Sequence, residues 1–139
     1  MAISTDILKM PHDQIEALQL ERLKETVVRC YENIQFYKDL YDEAGFDPYK
    51  IETLEDIRKA PFTTKQDLRE QYPYGMFASP VKDCKEIHMS SGTMGVATVS
   101  GYTQHDLDIW GECFARGIEY AGGSEEDICH ICYGYGLFT

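Results

Sequence analysis

The apolar residues of this chain change their spacing near Pro80, and this change constrains the fold more than any other feature. Before Pro80 the apolar residues recur at helical spacing. After it, short segments rich in β-branched residues flank a glycine-rich turn and precede a further helical pattern. Strand, helix and strand in this order are typical of the opening of an α/β domain. The sequence therefore predicts an α/β fold with a helical segment over 1–80 and an incomplete α/β domain that starts over 81–139.

Helices are expected throughout the first segment. Asp13 and Glu16 form a capping-box pattern ahead of a long amphipathic helix that runs to Ile34. A second helix should stop at Gly45, because glycine tolerates the left-handed conformation that ends many helices. Two short helices should each open at a threonine with a partner three residues later, namely Thr53 with Asp56 and Thr63 with Gln66.

The second segment is expected to open with a β-hairpin. Residues 86–90 and 98–102 are the predicted strands, and 91–95 form the turn between them. Thr103 with Asp106 should cap the next helix, which Gly122 and Gly123 should end. Residues 128–133 are predicted to form a buried strand. The apolar stripe of the helix is assigned to core packing and consists of Leu107, Trp110, Phe114 and Ile118.

Charge and cysteine usage exclude some classes of function. The 13 Lys and Arg residues face 24 Asp and Glu residues, so a net charge of −11 disfavours binding to nucleic acid and to anionic membrane surfaces. Five cysteines are an odd number, and the chain begins without the apolar core of a signal peptide. Reduced thiols and a cytoplasmic location are therefore expected.

The turn between the predicted strands is the best candidate for a binding site. Its backbone N–H groups and hydroxyls could converge on phosphate oxygens without a lysine. By composition alone, a purely structural turn is the favoured interpretation. The turn is not a Walker A loop, because the Gly-Lys-Ser/Thr ending is missing. The candidate anion-binding residues are Ser90, Ser91, Gly92, Thr93 and Gly95.

Several blocks in register give this sequence a specific resemblance. Residues 87–93 (IHMSSGT) resemble the phosphate loop of adenylate-forming enzymes. The blocks around it are similar to the phenylacetate-CoA ligase family, from about Gln19 onward and over the N-terminal part of a family member only. These blocks are 61–65 (PFTTK), 67–69 (DLR), 72–75 (YPYG), 101–103 (GYT) and 133–139 (YGYGLFT).

The resemblance implies a reaction in two steps. ATP, accompanied by Mg²⁺, and an aryl acid such as phenylacetate would give an acyl-adenylate and pyrophosphate, and the thiol of CoA would then displace AMP. The hydroxyl-rich turn would hold the triphosphate. The aryl acid would lie near Tyr133, Tyr135, Gly136 and Phe138. No residue of this chain is assigned a catalytic role, since positioning and charge stabilisation are expected to be its contribution.

The chain departs from the family pattern within the loop. The family sequence is Ser-Ser-Gly-Thr-Thr-Gly-Lys-Pro-Thr, and Met94, Val96 and Ala97 replace its second Thr, its Lys and its Pro. A hydroxyl and a cation are lost, so a degenerate, non-catalytic homologue that serves as a binding or interaction module is the alternative. The chain also stops inside the tyrosine block. We therefore expect an incomplete ligase that is inactive alone and whose remainder would be its partner.

Two further features have simpler structural interpretations. Cys129 and Cys132 enclose His130, but a second pair of ligands at metal-site spacing is missing, so no metal site is assigned. His88 lies beside the candidate loop. Adenylation requires no protein base to deprotonate a carboxylate, so His88 is interpreted as a residue of the strand or of a pocket wall.

Overall fold

The structure is a computed structural model that describes residues 6–90 and 95–132. Four α-helices and one two-stranded sheet are present in these ranges. Helices α1 (His12–Asn33), α2 (Gln35–Ala44) and α3 (Lys65–Glu70) precede strands β1 (Cys84–Met89) and β2 (Val99–Thr103), and α4 (Gln104–Tyr120) follows. Short 3-10 helices lie at Asp6–Lys9, Pro48–Lys50, Leu54–Lys59 and Val81–Asp83. The order of helices and strands agrees with the α/β architecture that the sequence predicts.

The first helix starts at a proline and not at the predicted capping box. The Pro11 carbonyl accepts the N–H groups of Gln14 and Ile15, each at 3.1 Å, and no side chain caps the helix. Because the fixed φ of proline suits the start of a helix, the first turn forms ahead of Asp13. The Asp13–Glu16 capping box is therefore wrong, whereas the long helix itself is confirmed.

Helix α2 ends at the predicted glycine. Gly45 has a φ of 64°, and its N–H donates to the Asp42 carbonyl at 3.2 Å. The N–H of Phe46 donates to the Tyr41 carbonyl at 2.9 Å, which completes a Schellman motif. The reversal places the rings of Phe46 and Tyr41 only 4.8 Å apart. The glycine thereby positions two members of the core.

The buried core lies within the helical segment. Val27, Tyr41, Phe46 and Ile51 form one buried cluster between α1, α2 and the turn that follows. Burial raises the pKa of the Tyr41 hydroxyl to about 12, so this tyrosine stays neutral over the physiological range. Partly buried side chains surround the cluster, among them Leu20, Leu23, Tyr31, Tyr37 and Ala60.

Three threonines cap helices through an aspartate three residues later. Thr53 with Asp56 and Thr103 with Asp106 are confirmed. The third cap is Thr64 with Asp67, so the predicted Thr63 is wrong by one residue. The reason is electrostatic: the Asp67 carboxylate accepts the N–H and the O–H of Thr64 at 2.6 and 2.8 Å. A charged acceptor binds an N–H more strongly than the neutral Gln66 amide does.

The predicted hairpin is confirmed. Strands β1 and β2 pair antiparallel, with Ile87 opposite Gly101 and His88 opposite Ser100. The observed strands begin and end within two residues of the predicted ones. Gly101 is required at its position, since a Cβ atom there would lie 2.4 Å from Cε2 of Phe77. The ring of Phe77 thus packs directly on the backbone of β2.

Helix α4 ends as predicted, but its apolar stripe is not buried. The N–H groups of Gly122 and Gly123 donate to the Glu119 and Ile118 carbonyls, each at 2.9 Å. Trp110, Phe114 and Ile118 are 48%, 68% and 43% exposed, so the assignment to core packing is wrong for this structure. Helical periodicity predicts which face is apolar and carries no information about what covers that face.

Residues 128–132 form no strand, which corrects a second prediction of burial. Ile128 and Ile131 are 99% and 67% exposed. A strand requires a neighbouring strand for its backbone hydrogen bonds, and the described residues place none beside this segment. Residue 133 lies outside the described ranges. Within those ranges no helix has the length and apolar character needed to cross a membrane.

The buried position of Phe46 predicts a large cost for its removal. Phe46→Ala should lower the free energy of unfolding by roughly 3 to 5 kcal/mol, because it empties the centre of the buried cluster. Urea denaturation followed by circular dichroism measures this difference. Phe62→Ala is the matched control, since Phe62 is 96% exposed and its truncation should change stability by less than about 0.5 kcal/mol. Equal losses in the two variants would contradict the assigned core.

Candidate functional site

The candidate loop lies at the tip of the hairpin. Ser90 follows β1 directly, and Gly95 lies on the returning side with a φ of 128°, a conformation that side chains rarely adopt. Ser91, Gly92, Thr93 and Met94 lie outside the described residues. The structure therefore shows the two ends of the loop, and the contacts of its central residues remain predictions.

A pair of hydroxyls closes the neck of the loop. The N–H of Ser90 donates to the Thr98 carbonyl at 3.0 Å, which extends the strand pairing toward the tip. The Ser90 Oγ accepts the backbone N–H and the hydroxyl of Thr98, each at 3.0 Å. Both hydroxyls are partly buried. Sequence reasoning selected Ser90 and missed Thr98, although a β-branched hydroxyl residue at the start of the returning strand was a usable signal.

His88 lies on β1 within an aromatic group, as its interpretation as a strand residue predicts. Its ring centroid is 5.0 Å from that of Tyr102 and 5.9 Å from that of Trp110. The Nε2 atom of His88 lies 3.0 Å from a carboxylate oxygen of Glu86. These contacts position the imidazole against β2 and α4 and connect the loop end of β1 to the helix that follows.

A cleft of about 560 Å³ lies between the helical segment and the hairpin. Its walls come from α1, the loop before β1, strand β2 and the first turns of α4. The guanidinium of Arg29 crosses the cleft and donates to the Ser79 hydroxyl at 2.6 Å. Arg29 and Ser79 are 50 residues apart in sequence, so no local pattern could have predicted this contact.

Asp106 connects the cleft to the capping of α4. Its carboxylate accepts the hydroxyl and the N–H of Thr103 at 2.7 and 2.8 Å. Those hydrogen bonds lower the pKa of the Asp106 carboxyl, and the positive charge of Arg29 lowers it further. Asp106 is therefore ionised at neutral pH and fixes the point at which β2 becomes α4.

The predicted acid-binding residues cannot be located in this structure. Tyr133, Tyr135, Gly136 and Phe138 all lie outside the described residues. The last residues that the structure does describe, 128–132, are exposed and have no regular structure. The role of the tyrosine loop therefore remains a prediction.

The cysteines near this segment are exposed thiols. The Sγ atom of Cys132 lies 3.6 Å from Nδ1 of His130, and Cys129 is also exposed. Across residues 6–90 and 95–132, no group of three or more Cys, His, Asp or Glu side chains could hold a metal ion. Cys30 differs from these exposed thiols, because its burial raises the pKa of its thiol.

Solved structures define the class of protein to which this architecture is similar. A crystal structure of 2-hydroxyisobutyryl-CoA ligase with 2-HIB-AMP and CoA matches with a TM-score of 0.70 and 31% identity. The match covers 77% of this chain and 24% of the ligase chain. A second crystal structure of that ligase, with R3-HIB-AMP, gives a TM-score of 0.71 at 28% identity. It covers 81% of this chain and 24% of the other. The fold is therefore that of the N-terminal part of an adenylate-forming CoA ligase.

Sequence similarity narrows this class to one family. The phenylacetate-CoA ligase of Escherichia coli K12 is 50% identical over 91% of this chain, and that of Aromatoleum evansii is 49% identical over 96%. The enzyme of Thermus thermophilus is 45% identical over the whole chain. The chain spans 29%, 30% and 31% of these relatives, respectively. No protein-family model matches it. The chain thus resembles the N-terminal part of phenylacetate-CoA ligases, as its motifs predict.

The small number of ligands near Cys129 predicts that the chain binds no structural zinc. A closed zinc site takes four ligands, and two thiols with one imidazole provide too few. Elemental analysis of chain purified without added metal should find far less than one zinc per chain. The matched control is a Cys129→Ser/Cys132→Ser variant, which should give the same zinc content. Stoichiometric zinc that disappears in this variant would contradict the assignment.

Proposed function

We propose that this chain is the N-terminal portion of an aryl-acid:CoA ligase similar to phenylacetate-CoA ligase. The complete enzyme would convert ATP, phenylacetate and CoA into phenylacetyl-CoA, AMP and pyrophosphate through an acyl-adenylate. Identities of 45% to 50% over at least 91% of the chain are the observation that carries this proposal. A related ligase has been crystallised with an acyl-adenylate and CoA, which supports the same order of steps.

The proposed role of the hairpin loop is to hold the triphosphate of ATP. Ser91, Gly92, Thr93 and Gly95 would present N–H groups and hydroxyls to the phosphate oxygens, and Ser90 would do so from the neck. Preorganised donors of this kind stabilise charge without having to reorganise during the reaction. Magnesium would accompany ATP and neutralise phosphate charge. The described residues contain no cluster of metal-binding side chains, so we assign Mg²⁺ no ligand in them.

The proposed partner of this chain is the remainder of such a ligase. About seven tenths of each matched relative has no counterpart in the 139 residues. The apolar stripe of α4 supports this proposal, because Trp110, Phe114 and Ile118 stay 43% to 68% exposed on a helix that the described hairpin covers only in part. Large apolar patches are uncommon on monomers and usually mark contact surfaces. A cytoplasmic location would suit an enzyme that uses ATP and CoA.

One observation favours the alternative of a degenerate, non-catalytic module that binds its partner without turnover. Val96, at the position of the family lysine, is 49% exposed and provides no positive charge beside the loop. A hydrogen bond from a charged donor contributes about 1.5 to 3 kcal/mol. The loss of that cation distinguishes the ligase from the non-catalytic module. A ligase must replace the lost interaction with the phosphate, whereas a binding module has no need of it.

Restoring the cation should strengthen anion binding at the loop. Val96→Lys should tighten the binding of pyrophosphate roughly three- to tenfold. This is less than a full charged hydrogen bond would give, because the position is half exposed and solvent screens the charge. Amide chemical-shift titration measures the affinity and also locates the anion, with the largest shifts expected over 91–95. Ile128→Lys is the control, because it adds the same charge at a position that is 99% exposed and distant in sequence. Equal tightening by both variants, or shifts confined to other segments, would contradict the phosphate role.

The isolated 139-residue chain should form no acyl-adenylate. The reaction requires acid, triphosphate and metal in one geometry, and a misplacement of about 1 Å can cost roughly a hundredfold in rate. Exchange of labelled pyrophosphate into ATP, with phenylacetate present, measures this half-reaction. We expect no exchange above that of a sample without protein. The Escherichia coli phenylacetate-CoA ligase is the positive control and should give exchange. Exchange that Gly92→Val abolishes would show that this chain is a complete catalyst.

A further inference from the structure

Two exposed cysteines enclose a histidine in the segment that follows α4. Cys129 and Cys132 are both exposed, and the histidine ring lies against the second thiol. The Cys132 Sγ is 3.6 Å from Nδ1 and 3.7 Å from Nε2 of His130. A neutral imidazole has one acceptor nitrogen, which can take the hydrogen of a thiol. The proposed ligase function uses none of these three side chains.

The backbone of this segment decides whether the two thiols can meet. A disulfide joins Cα atoms that are at most about 7 Å apart. In a strand, Cα atoms three residues apart are separated by about 10 Å, so the strand predicted here would have kept the sulfurs apart. Residues 128–132 instead have no regular structure and form no backbone hydrogen bond with another described residue. No strand pairing therefore has to break before the chain closes into the turn that a disulfide between Cys129 and Cys132 requires.

We propose that Cys129 and Cys132 form a reversible redox pair that reacts with small disulfides such as oxidised glutathione. The Cys132 sulfur attacks one sulfur of the glutathione disulfide, the His130 imidazole takes the thiol proton, and the first glutathione leaves as its thiolate. The Cys129 sulfur then attacks the Cys132 sulfur of this mixed disulfide and displaces the second glutathione. The two protein thiols are oxidised, the glutathione disulfide is reduced, and the two protein protons end on the two glutathione thiols. This inference is independent of the proposed ligase function.

Cys113 on α4 is the control within the same chain. It is also exposed and lies beside a cation, since the Arg116 guanidinium donates to its Sγ at 3.1 Å. No second cysteine lies within a turn's length of it in the sequence. A single thiol of this kind stops at the mixed disulfide, because no neighbouring thiol displaces the glutathione. The two sites share exposure and a basic neighbour, so the second thiol is what distinguishes them.

The test equilibrates the full 139-residue chain with about 1 mM reduced and about 0.1 mM oxidised glutathione, then alkylates free thiols and maps the peptides by mass spectrometry. Cys113 should carry glutathione in roughly one tenth of the molecules, because exchange between ordinary disulfides has an equilibrium constant near one. Cys129 and Cys132 should share an internal disulfide roughly three- to tenfold more often, since a tethered thiol acts at millimolar effective concentration. Cys129→Ser should abolish this disulfide and leave glutathione on Cys132.

The role of His130 is tested by comparing rate with equilibrium. His130→Asn keeps a polar side chain and removes the proton acceptor. It should slow formation of the internal disulfide roughly three- to tenfold, while the oxidised fraction at equilibrium stays within about twofold, because a proton acceptor changes the barrier and not the end states. Glutathione should add to Cys113 at the same rate in both chains. Because residues 128–132 are exposed, the circular dichroism spectra of all these variants should match that of the parent chain.

Two results would overturn the proposal. Glutathione attached to Cys129 and Cys132 without an internal disulfide, or an oxidised fraction no higher than that of Cys113, would show that the two cysteines do not act as a pair. An internal disulfide that forms equally fast in His130→Asn would overturn the proton transfer and the order of attack. The ligase function is tested separately by pyrophosphate exchange and does not depend on either outcome.

Discussion

The candidate site depends on how a single two-stranded hairpin is held in place. An isolated hairpin is at best marginally stable in water, so β1 and β2 need contacts beyond their own ladder. The ring of Phe77 provides one contact by packing where Gly101 has no side chain. The rings of Tyr102 and Trp110, 5.3 Å apart, provide another from α4. Ser90 and Gly95, the described ends of the candidate loop, therefore depend on these contacts for their positions.

The parts of the fold that the sequence predicts correctly are those with local causes. The glycine reversal at Gly45 and the Thr103–Asp106 cap each depend on residues within a few positions of one another. The errors at Asp13 and Thr63 are also local, because a helix start at proline and a better-placed carboxylate compete with the expected caps. By contrast, the contact between Arg29 and Ser79 spans 50 residues and depends on packing that no short pattern encodes.

Burial was the property that sequence patterns predicted least well. The stripe on α4 and residues 128–132 are apolar as a core would be, yet both are largely exposed in this structure. Periodicity identifies an apolar face, and burial requires a second surface. The candidate loop shows the same division. Ser90 and Gly95 lie at its ends as predicted, whereas the contact between the Ser90 and Thr98 hydroxyls was found only in the structure. The sequence thus located the turn between the strands, and the structure added the contact between the Ser90 and Thr98 hydroxyls at its neck.

The central claim is that this chain can serve as the N-terminal portion of a phenylacetate-CoA ligase in spite of its altered loop. A chimera tests it most directly: this chain replaces the segment of the Aromatoleum evansii ligase that it matches, which is 30% of that enzyme at 49% identity. Phenylacetate-dependent exchange of pyrophosphate into ATP is then measured beside the parent enzyme. Our account predicts exchange well above a no-protein sample, and its loss on Gly92→Val. A chimera whose circular dichroism spectrum matches that of the parent enzyme, but which supports no exchange even at saturating ATP, would contradict the account.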